Sequence, residues 1–172
     1  MGRKPLFIGL GLVAVVAIIV GVAVFQPHKL FIDDVVDEAR PDEVTTTTAP
    51  GVTDPAAPTT TTPPPLTGSF VSLDHTTSGQ AEVLTTADGS RVLRIEDLAT
   101  DNGPDLFVYL STAPADGSQA FDSEFVNLGA LKGNIGNQNY DIPADVDLGR
   151  YATVVIWCRQ FTSAFGAAPL AA

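Results

Sequence analysis

Apolar and polar positions divide this 172-residue chain into three regions. The first contains an uncharged apolar run, Leu6–Phe25, whose 20 residues match the length that a helix needs to cross a bilayer core about 30 Å thick. Arg3 and Lys4 precede this run, and an acidic cluster follows it. By the positive-inside rule, residues 1–5 are expected in the cytoplasm and the chain after the span outside it. The sequence thus predicts a single-pass membrane protein that is tethered by its N-terminal helix.

A cleaved signal peptide is the alternative for this apolar run. The apolar stretch of a signal peptide usually has only about 7–15 residues, so the run favours an uncleaved anchor. No cysteine closely follows the run to carry a lipid, which argues against a lipoprotein.

The second region, residues 26–67, lacks the apolar positions that a core requires. Residues 26–43 form a charged juxtamembrane stretch that could hold a short helix, and residues 44–67 form a Thr/Pro tract. Such a tract is expected to be extended and disordered, because it has few large apolar groups and many prolines. At about 3.1 Å per residue, it would form a stalk that holds the next domain up to roughly 70 Å from the membrane.

In the third region, residues 68–172, apolar and polar positions alternate with a period of two. Leu93 and Ile95 face one way, whereas Arg94 and Glu96 face the other, as in a half-buried strand. This region is long enough for one domain with its own core.

Two runs of the third region, Asp105–Ser111 and Tyr151–Cys158, are apolar at consecutive positions and predict strands buried on both faces. Shorter strands are predicted at Ser69–Leu73, Gln80–Thr85, Phe125–Leu128 and Asn139–Ile142. Gly, Pro and Asn residues supply turns between the strands. Seven to eight short strands without a long helical pattern predict an all-β domain, either an antiparallel β-sandwich or a flattened barrel.

Several motifs of the third region, taken in order, resemble the electron-transfer DM-thirteen domain family, an extracellular domain associated with DOMON domains, and specifically a bacterial membrane-anchored member. They are Gly68-Ser69-Phe70, His75-Thr76-Thr77-Ser78-Gly79, Asn102-Gly103-Pro104-Asp105-Leu106, Leu128-Gly129-Ala130-Leu131-Lys132-Gly133, Asn137-Gln138-Asn139-Tyr140, and Val155-Ile156-Trp157-Cys158 with Phe161 and Phe165-Gly166. The resemblance spans residues 68–170. It implies an extracellular β domain with an electron-transfer role, in which the cysteine near the C-terminus is the suggested redox residue. That cysteine corresponds to Cys158.

Cys158 is the only cysteine of the chain. An unpaired thiol in an oxidising compartment is a candidate for intermolecular pairing or redox chemistry. The alternative is an inert small hydrophobe on the same strand face as Val154 and Ile156. Arg159 is expected on the opposite face. His75 is the only histidine of the domain and a candidate partner that would activate the thiol, although a turn residue with local hydrogen bonds is the simpler interpretation.

The ligand count excludes the familiar redox centres within one chain. Blue copper needs two His and one Cys, covalent haem needs a Cys-x-x-Cys-His motif, and iron–sulfur clusters need several Cys. No cofactor can therefore be identified from the sequence. A redox role would use the single thiol, by sulfenic acid or a mixed disulfide with an unknown protein partner, or would borrow ligands from that partner.

Acidic residues raise a second kind of site. Asp101, Asn102 and Asp105 bracket a Gly-Pro turn, and clustered oxygen ligands bind calcium, although Asp and Asn are also ordinary turn residues. The net charge of −11 argues against nucleic acid as a partner. Cys158 and His75 lack the local signature of a hydrolase, so the domain is not expected to be a self-contained enzyme.

The sequence thus predicts a membrane-tethered extracytoplasmic β domain with a redox or electron-transfer role through Cys158. The alternative is a non-catalytic surface module that binds protein, wall polymer or calcium and buries an inert cysteine.

Overall fold

The computed structural model describes Val15, residues 18–21, residues 32–41 and residues 65–172. No helix within these described residues is long and apolar enough to cross a membrane. Val15 and residues 18–21 are helical. The rest of the predicted span, Leu6–Phe25, and the predicted stalk from residue 44 to residue 64 lie outside the described residues.

Ten strands in the described part of the chain form two five-stranded sheets that enclose a common core. The strands are β1 (Val35–Asp37), β2 (Thr67–Ser69), β3 (Val71–Ser72), β4 (Thr77–Thr85), β5 (Arg91–Thr100), β6 (Leu106–Ser111), β7 (Phe125–Ala130), β8 (Ile135–Ile142), β9 (Thr153–Cys158) and β10 (Ser163–Pro169). The first sheet has the order β1-β8-β5-β4-β2, and the second has the order β3-β10-β9-β6-β7. The all-β sandwich prediction is confirmed, and the sheets do not close into a barrel.

The predicted number of seven to eight strands is too low, for two reasons visible in the C-terminal domain. The run predicted at Ser69–Leu73 divides into β2 and β3, which belong to different sheets, and Phe70 is buried at the corner between them. The strand Ser163–Pro169 was not predicted, because its alanines and glycine give little contrast between apolar and polar positions.

The third additional strand, β1, lies in the stretch where the sequence allowed a short helix. Val35–Asp37 instead pairs with β8, and this pair is parallel in an otherwise antiparallel sandwich. A strand is consistent with the adjacent β-branched residues Val35 and Val36. The juxtamembrane prediction is therefore corrected from helix to strand.

The inter-sheet core contains the inward-facing apolar residues of both sheets. Leu93 and Ile95 of β5 have no exposed surface, which confirms the predicted inward face of that strand. Val154, Ile156 and Cys158 supply the inner face of β9.

The second sheet is also buried on its outer face. Residues after β6 cover this face and complete a second apolar cluster, which we call the outer cluster. Its members are Tyr109, Ala113, Ala115, Phe121, Val155, Trp157, Ala164 and Ala167, with Leu73 and Phe107 packed against them. The prediction that β6 and β9 are buried on both faces is thus confirmed.

Residues 32–41, which we call the strap, cover part of the outer face of the first sheet. The Glu38 carbonyl accepts a hydrogen bond from Arg94 Nη1 at 2.7 Å, and Arg40 pairs with Glu82 and Glu96 at 2.6 and 2.8 Å. Arg94 therefore lies on the predicted polar face of β5 but is only 4% exposed. The strap crosses from β8 over β5 to β4.

Two glycines permit this close approach. A Cβ at Gly133 would lie 2.3 Å from the Asp34 carbonyl oxygen, and a Cβ at Gly136 would lie 2.0 Å from the Val36 carbonyl oxygen. Gly136 also has a φ of +104°, which disfavours other residues.

Candidate functional site

Cys158 is the last residue of β9 and has no exposed surface. It lies opposite Leu106 of β6 and Ser163 of β10, within the inter-sheet core. In the described part of the chain, its thiol makes no hydrogen bond. An oxidant or a partner disulfide cannot reach a thiol in this position unless the structure opens locally.

The turn that follows Cys158 is exposed to solvent. Residues 159–162 are exposed and include Phe161, which is 57% exposed. Thr162 adopts a φ of +51°, a conformation that costs free energy for a β-branched residue. The thiol thus lies at the end of a strand pair, next to an exposed turn, and not in the middle of the sheet.

The structure does not join His75 and Cys158 by a hydrogen bond. His75 Nδ1 lies 3.0 Å from Asp101 Oδ2, and the imidazole ring stacks on Phe165 with 3.7 Å between ring centroids. Phe165 belongs to the same core as Cys158. His75 thus holds β10, the strand beside the thiol, and has no contact through which it would take the thiol proton.

Arg159 lies on the face opposite Cys158, as predicted. Its guanidinium pairs with Asp105 at 3.1 Å and lies 3.6 Å from the ring centroid of Phe107, in the outer cluster. It provides no charge to stabilise a thiolate at Cys158.

The three residues predicted as a weak calcium site have separate partners. Asp101 pairs with His75, and Asp105 with Arg159. The Asn102 Nδ2 donates to the Ile32 carbonyl at 2.8 Å, so this residue binds the strap. Among the described residues, no group of three or more His, Cys, Asp or Glu side chains is placed to hold a metal ion.

The sequence reasoning did not find the arrangement of rings in the outer cluster. Tyr109 stacks on Phe125 with a centroid separation of 4.2 Å and on Trp157 at 6.3 Å. Burial raises the pKa of Tyr109. Tyr109 and Trp157 are 2% and 7% exposed, so both are core aromatics. The rings come from three strands, so only the sheet order brings them together.

A buried polar network explains the Asn137–Tyr140 motif. Gln138 and Tyr140 face inward, and the Tyr140 hydroxyl donates to Gln138 Oε1 at 2.7 Å. Gln138 Nε2 donates to the Gly133 carbonyl at 2.7 Å. Burial raises the pKa of Tyr140 to about 12. Asn137 and Asn139 face outward and bind Asp37 and Ala39 of the strap at 2.8 and 2.9 Å.

Comparison with known protein families identifies a match. The model of the family described as Electron transfer DM13 matches residues 69–170, which is more than half of the chain. No curated protein and no solved structure matches.

Proposed function

We propose, from the premise that this chain belongs to the Electron transfer DM13 family, that its sandwich domain is an electron-transfer module with Cys158 as the redox group. The position of Cys158 carries the proposal, because a fully buried residue is adjacent to an exposed turn. Opening of the pair between Cys158 and Ser163 exposes the thiol without unfolding the sandwich.

The simplest chemistry for one thiol is exchange with a disulfide of a partner protein. The Cys158 thiol loses its proton to solvent, and its sulfur forms a bond with one sulfur of the partner. The partner disulfide breaks, and its second sulfur leaves as a thiolate that takes up a proton. A dithiol of a second partner protein then attacks the Cys158 sulfur of the mixed disulfide and releases the first partner as a dithiol. The other thiol of the second partner closes that partner's own disulfide and releases Cys158, so two electrons and two protons pass from the second partner to the first.

Thiol alkylation in the native state tests this proposal. With local opening, we expect an alkylation rate that is nearly independent of urea below the unfolding transition and faster than global unfolding allows. The Cys158→Ala variant, which lacks the thiol, gives the background signal of the alkylation assay. A rate that follows the global unfolding equilibrium at every urea concentration would refute a redox role for this thiol.

His75→Ala distinguishes two roles of the histidine. If His75 activates the thiol, its removal slows alkylation. The stacking of His75 on Phe165 leads us to expect the opposite, faster alkylation because β10 is held less firmly. Asp101→Asn is the matched control, since it weakens the ion pair and keeps the ring stack.

The second candidate function is a non-catalytic surface module that binds protein, wall polymer or calcium. The complete burial of Cys158 favours it. Alkylation only after global unfolding would support this candidate.

We further propose that the domain is tethered outside the cytoplasm by the apolar run Leu6–Phe25. The strap begins at residue 32, so residues 26–31 would link the span to the sandwich over at most about 20 Å. Residues 42–64 connect the strap to β2, so they join two points on one domain and would not set its distance from the membrane.

Protease accessibility in intact cells tests the orientation. A cleavage site placed within residues 42–64 should be cut from outside. Cutting that occurs only after membrane disruption would contradict it.

A further inference from the structure

A groove lies on the outer face of the second sheet, beside the outer cluster. Its volume is about 580 Å³, and it is lined by residues 72–74, by residues of the segment 116–122, and by β9 and β10. Leu73, Phe121 and Trp157 give it apolar walls. Ligand pockets in proteins typically have volumes of about 300–1,000 Å³, so the groove is large enough to hold a side chain and adjoining backbone.

Three carboxylates line the groove, and none of its lining residues is Lys or Arg. Asp74 accepts a hydrogen bond from the Ser163 hydroxyl at 2.7 Å, and Asp116 accepts one from the Ser118 N–H at 2.9 Å. The bonds with Ser118 hold the pKa of Asp116 below its usual value. Asp122 has no hydrogen-bond or ion-pair partner among the described residues. The groove therefore presents negative charge without a protein cation to balance it.

Trp157 supplies a hydrogen-bond donor beside this groove. Its side chain is more than nine-tenths buried, and its indole N–H donates no hydrogen bond within the described part of the chain. Every fully buried side-chain N or O atom there has a partner. The indole N–H therefore retains contact with solvent, and Trp157 lines this groove. An acceptor atom of a bound molecule could receive a hydrogen bond from this N–H.

We propose that the groove binds a polypeptide segment that carries a lysine or arginine side chain. The aliphatic part of such a side chain covers apolar surface, and its charged end pairs with carboxylates. A peptide carbonyl of the same segment accepts a hydrogen bond from the indole N–H of Trp157. This site does not depend on the chemistry of Cys158.

The electrostatics of the whole chain agree with this ligand class. The net charge of −11 attracts a cationic partner and repels an anionic one. Arg159, the cation of the neighbouring surface, is paired with Asp105 and Phe107 and so does not neutralise the groove.

The single tryptophan makes the test specific to the groove. The full chain is titrated with a capped pentapeptide that has one central arginine between leucines, and with the same peptide containing citrulline. We expect the arginine peptide to change the emission of Trp157 and to shift its indole N–H resonance. The citrulline peptide should bind at least about threefold more weakly. No change in either signal, or equal affinity of the two peptides, would overturn the proposal.

Two double variants change the net charge by the same amount. They distinguish binding at the groove from non-specific attraction of a cationic peptide to an acidic protein. Asp116→Asn with Asp122→Asn should weaken binding about three- to tenfold, whereas Asp141→Asn with Asp145→Asn, outside the groove, should change it less than about twofold. Equal weakening by both pairs would refute a localised site. Free arginine amide binding as tightly as the peptide would refute a polypeptide ligand.

The donor role of Trp157 is tested with Trp157→Phe, which keeps an aromatic ring in the outer cluster. Calorimetry should show about threefold weaker binding of the arginine peptide. Unchanged affinity in the folded variant would show that the N–H is not used.

Discussion

Replacement of Gly136 by alanine should detach the strap from β8. The new Cβ would lie 2.0 Å from the Val36 carbonyl oxygen, which is backbone and cannot rotate away. Gly129→Ala is a matched control, because Gly129 also has a positive φ, +129°, yet nothing lies within 4 Å of its added Cβ. Both variants carry backbone strain of about 1–3 kcal/mol. Only the first also displaces the strap.

The additional cost of Gly136→Ala cannot exceed the free energy with which the strap binds, because the strap can leave. Four part-buried hydrogen bonds join the strap to the domain. They are the bonds Asp34–Asn134, Asp33–Asn134, Glu38–Arg94 and Glu38–Asn139. Two backbone bonds, Asp34–Ile135 and Glu38–Asn137, add to them. At about 1 kcal/mol each, these six bonds contribute roughly 6 kcal/mol. The pairing of β1 with β8 and the exposed ion pairs of Arg40 add to this sum. Ordering of the strap backbone offsets part of this, which leaves an expected extra cost of about 2–4 kcal/mol.

Urea unfolding and hydrogen exchange measure the two parts of this prediction. Gly136→Ala should lower the free energy of unfolding more than Gly129→Ala does. The amide of Glu38, which donates to the Asn137 carbonyl at 2.9 Å, should lose its protection only in Gly136→Ala. Equal costs for the two glycines, with Glu38 still protected, would show that the strap is not bound as described.

Three further predictions concern single side chains. The pKa of Tyr140 is raised from 10.0 to about 12. The contribution of Tyr140 to stability should therefore be complete below pH 10 and be lost as pH rises through about 12. Tyr140→Phe should reduce this alkaline decline, measured as the urea midpoint against pH. Burial alone would raise the pKa of Glu38, but hydrogen bonds from Lys132 and the Asn139 N–H lower it below 4.5. The contribution of Glu38 to stability should therefore be present above pH 4.5 and be lost as pH falls through the folded pKa. Hydrogen exchange of the Glu38 amide measures this loss, and Glu38→Gln should not show it. Cys158→Ser should cost about 1–3 kcal/mol of unfolding free energy by burying an unsatisfied hydroxyl, whereas equal stability with the native chain would mean that the site admits water or a partner.

Local patterns were sufficient for the strands whose burial alternates. The period of two placed Leu93 and Ile95 in the core and Arg159 opposite Cys158, because successive side chains of a strand point to opposite faces. The same logic failed for β10, where alanines are buried on both faces and no polar residue marks an alternation.

Contacts between distant parts of the chain were not predictable from local patterns. Asn102 has the composition of a turn residue or a calcium ligand, and its partner, the Ile32 carbonyl, is 70 residues away. The sequence suggested either Cys158 or local turn hydrogen bonds for His75, but its ring pairs with Asp101 and stacks on Phe165. Each of these contacts depends on the order of the strands in the sheets, which local sequence patterns do not show.

The strap and the groove lie on different sheets, so the proposed tether and the proposed partner would approach different sides of the domain. The strap binds the edge and outer face of the first sheet, through β8, β5 and β4. The groove lies on the outer face of the second sheet, and Cys158 lies at the end of a strand of that same sheet. A tether that enters through the strap would therefore leave the acidic groove on the thiol-bearing sheet open to a partner. A cationic partner bound in the groove would meet Trp157, the residue directly before the thiol, so docking and thiol exposure would involve the same end of β9.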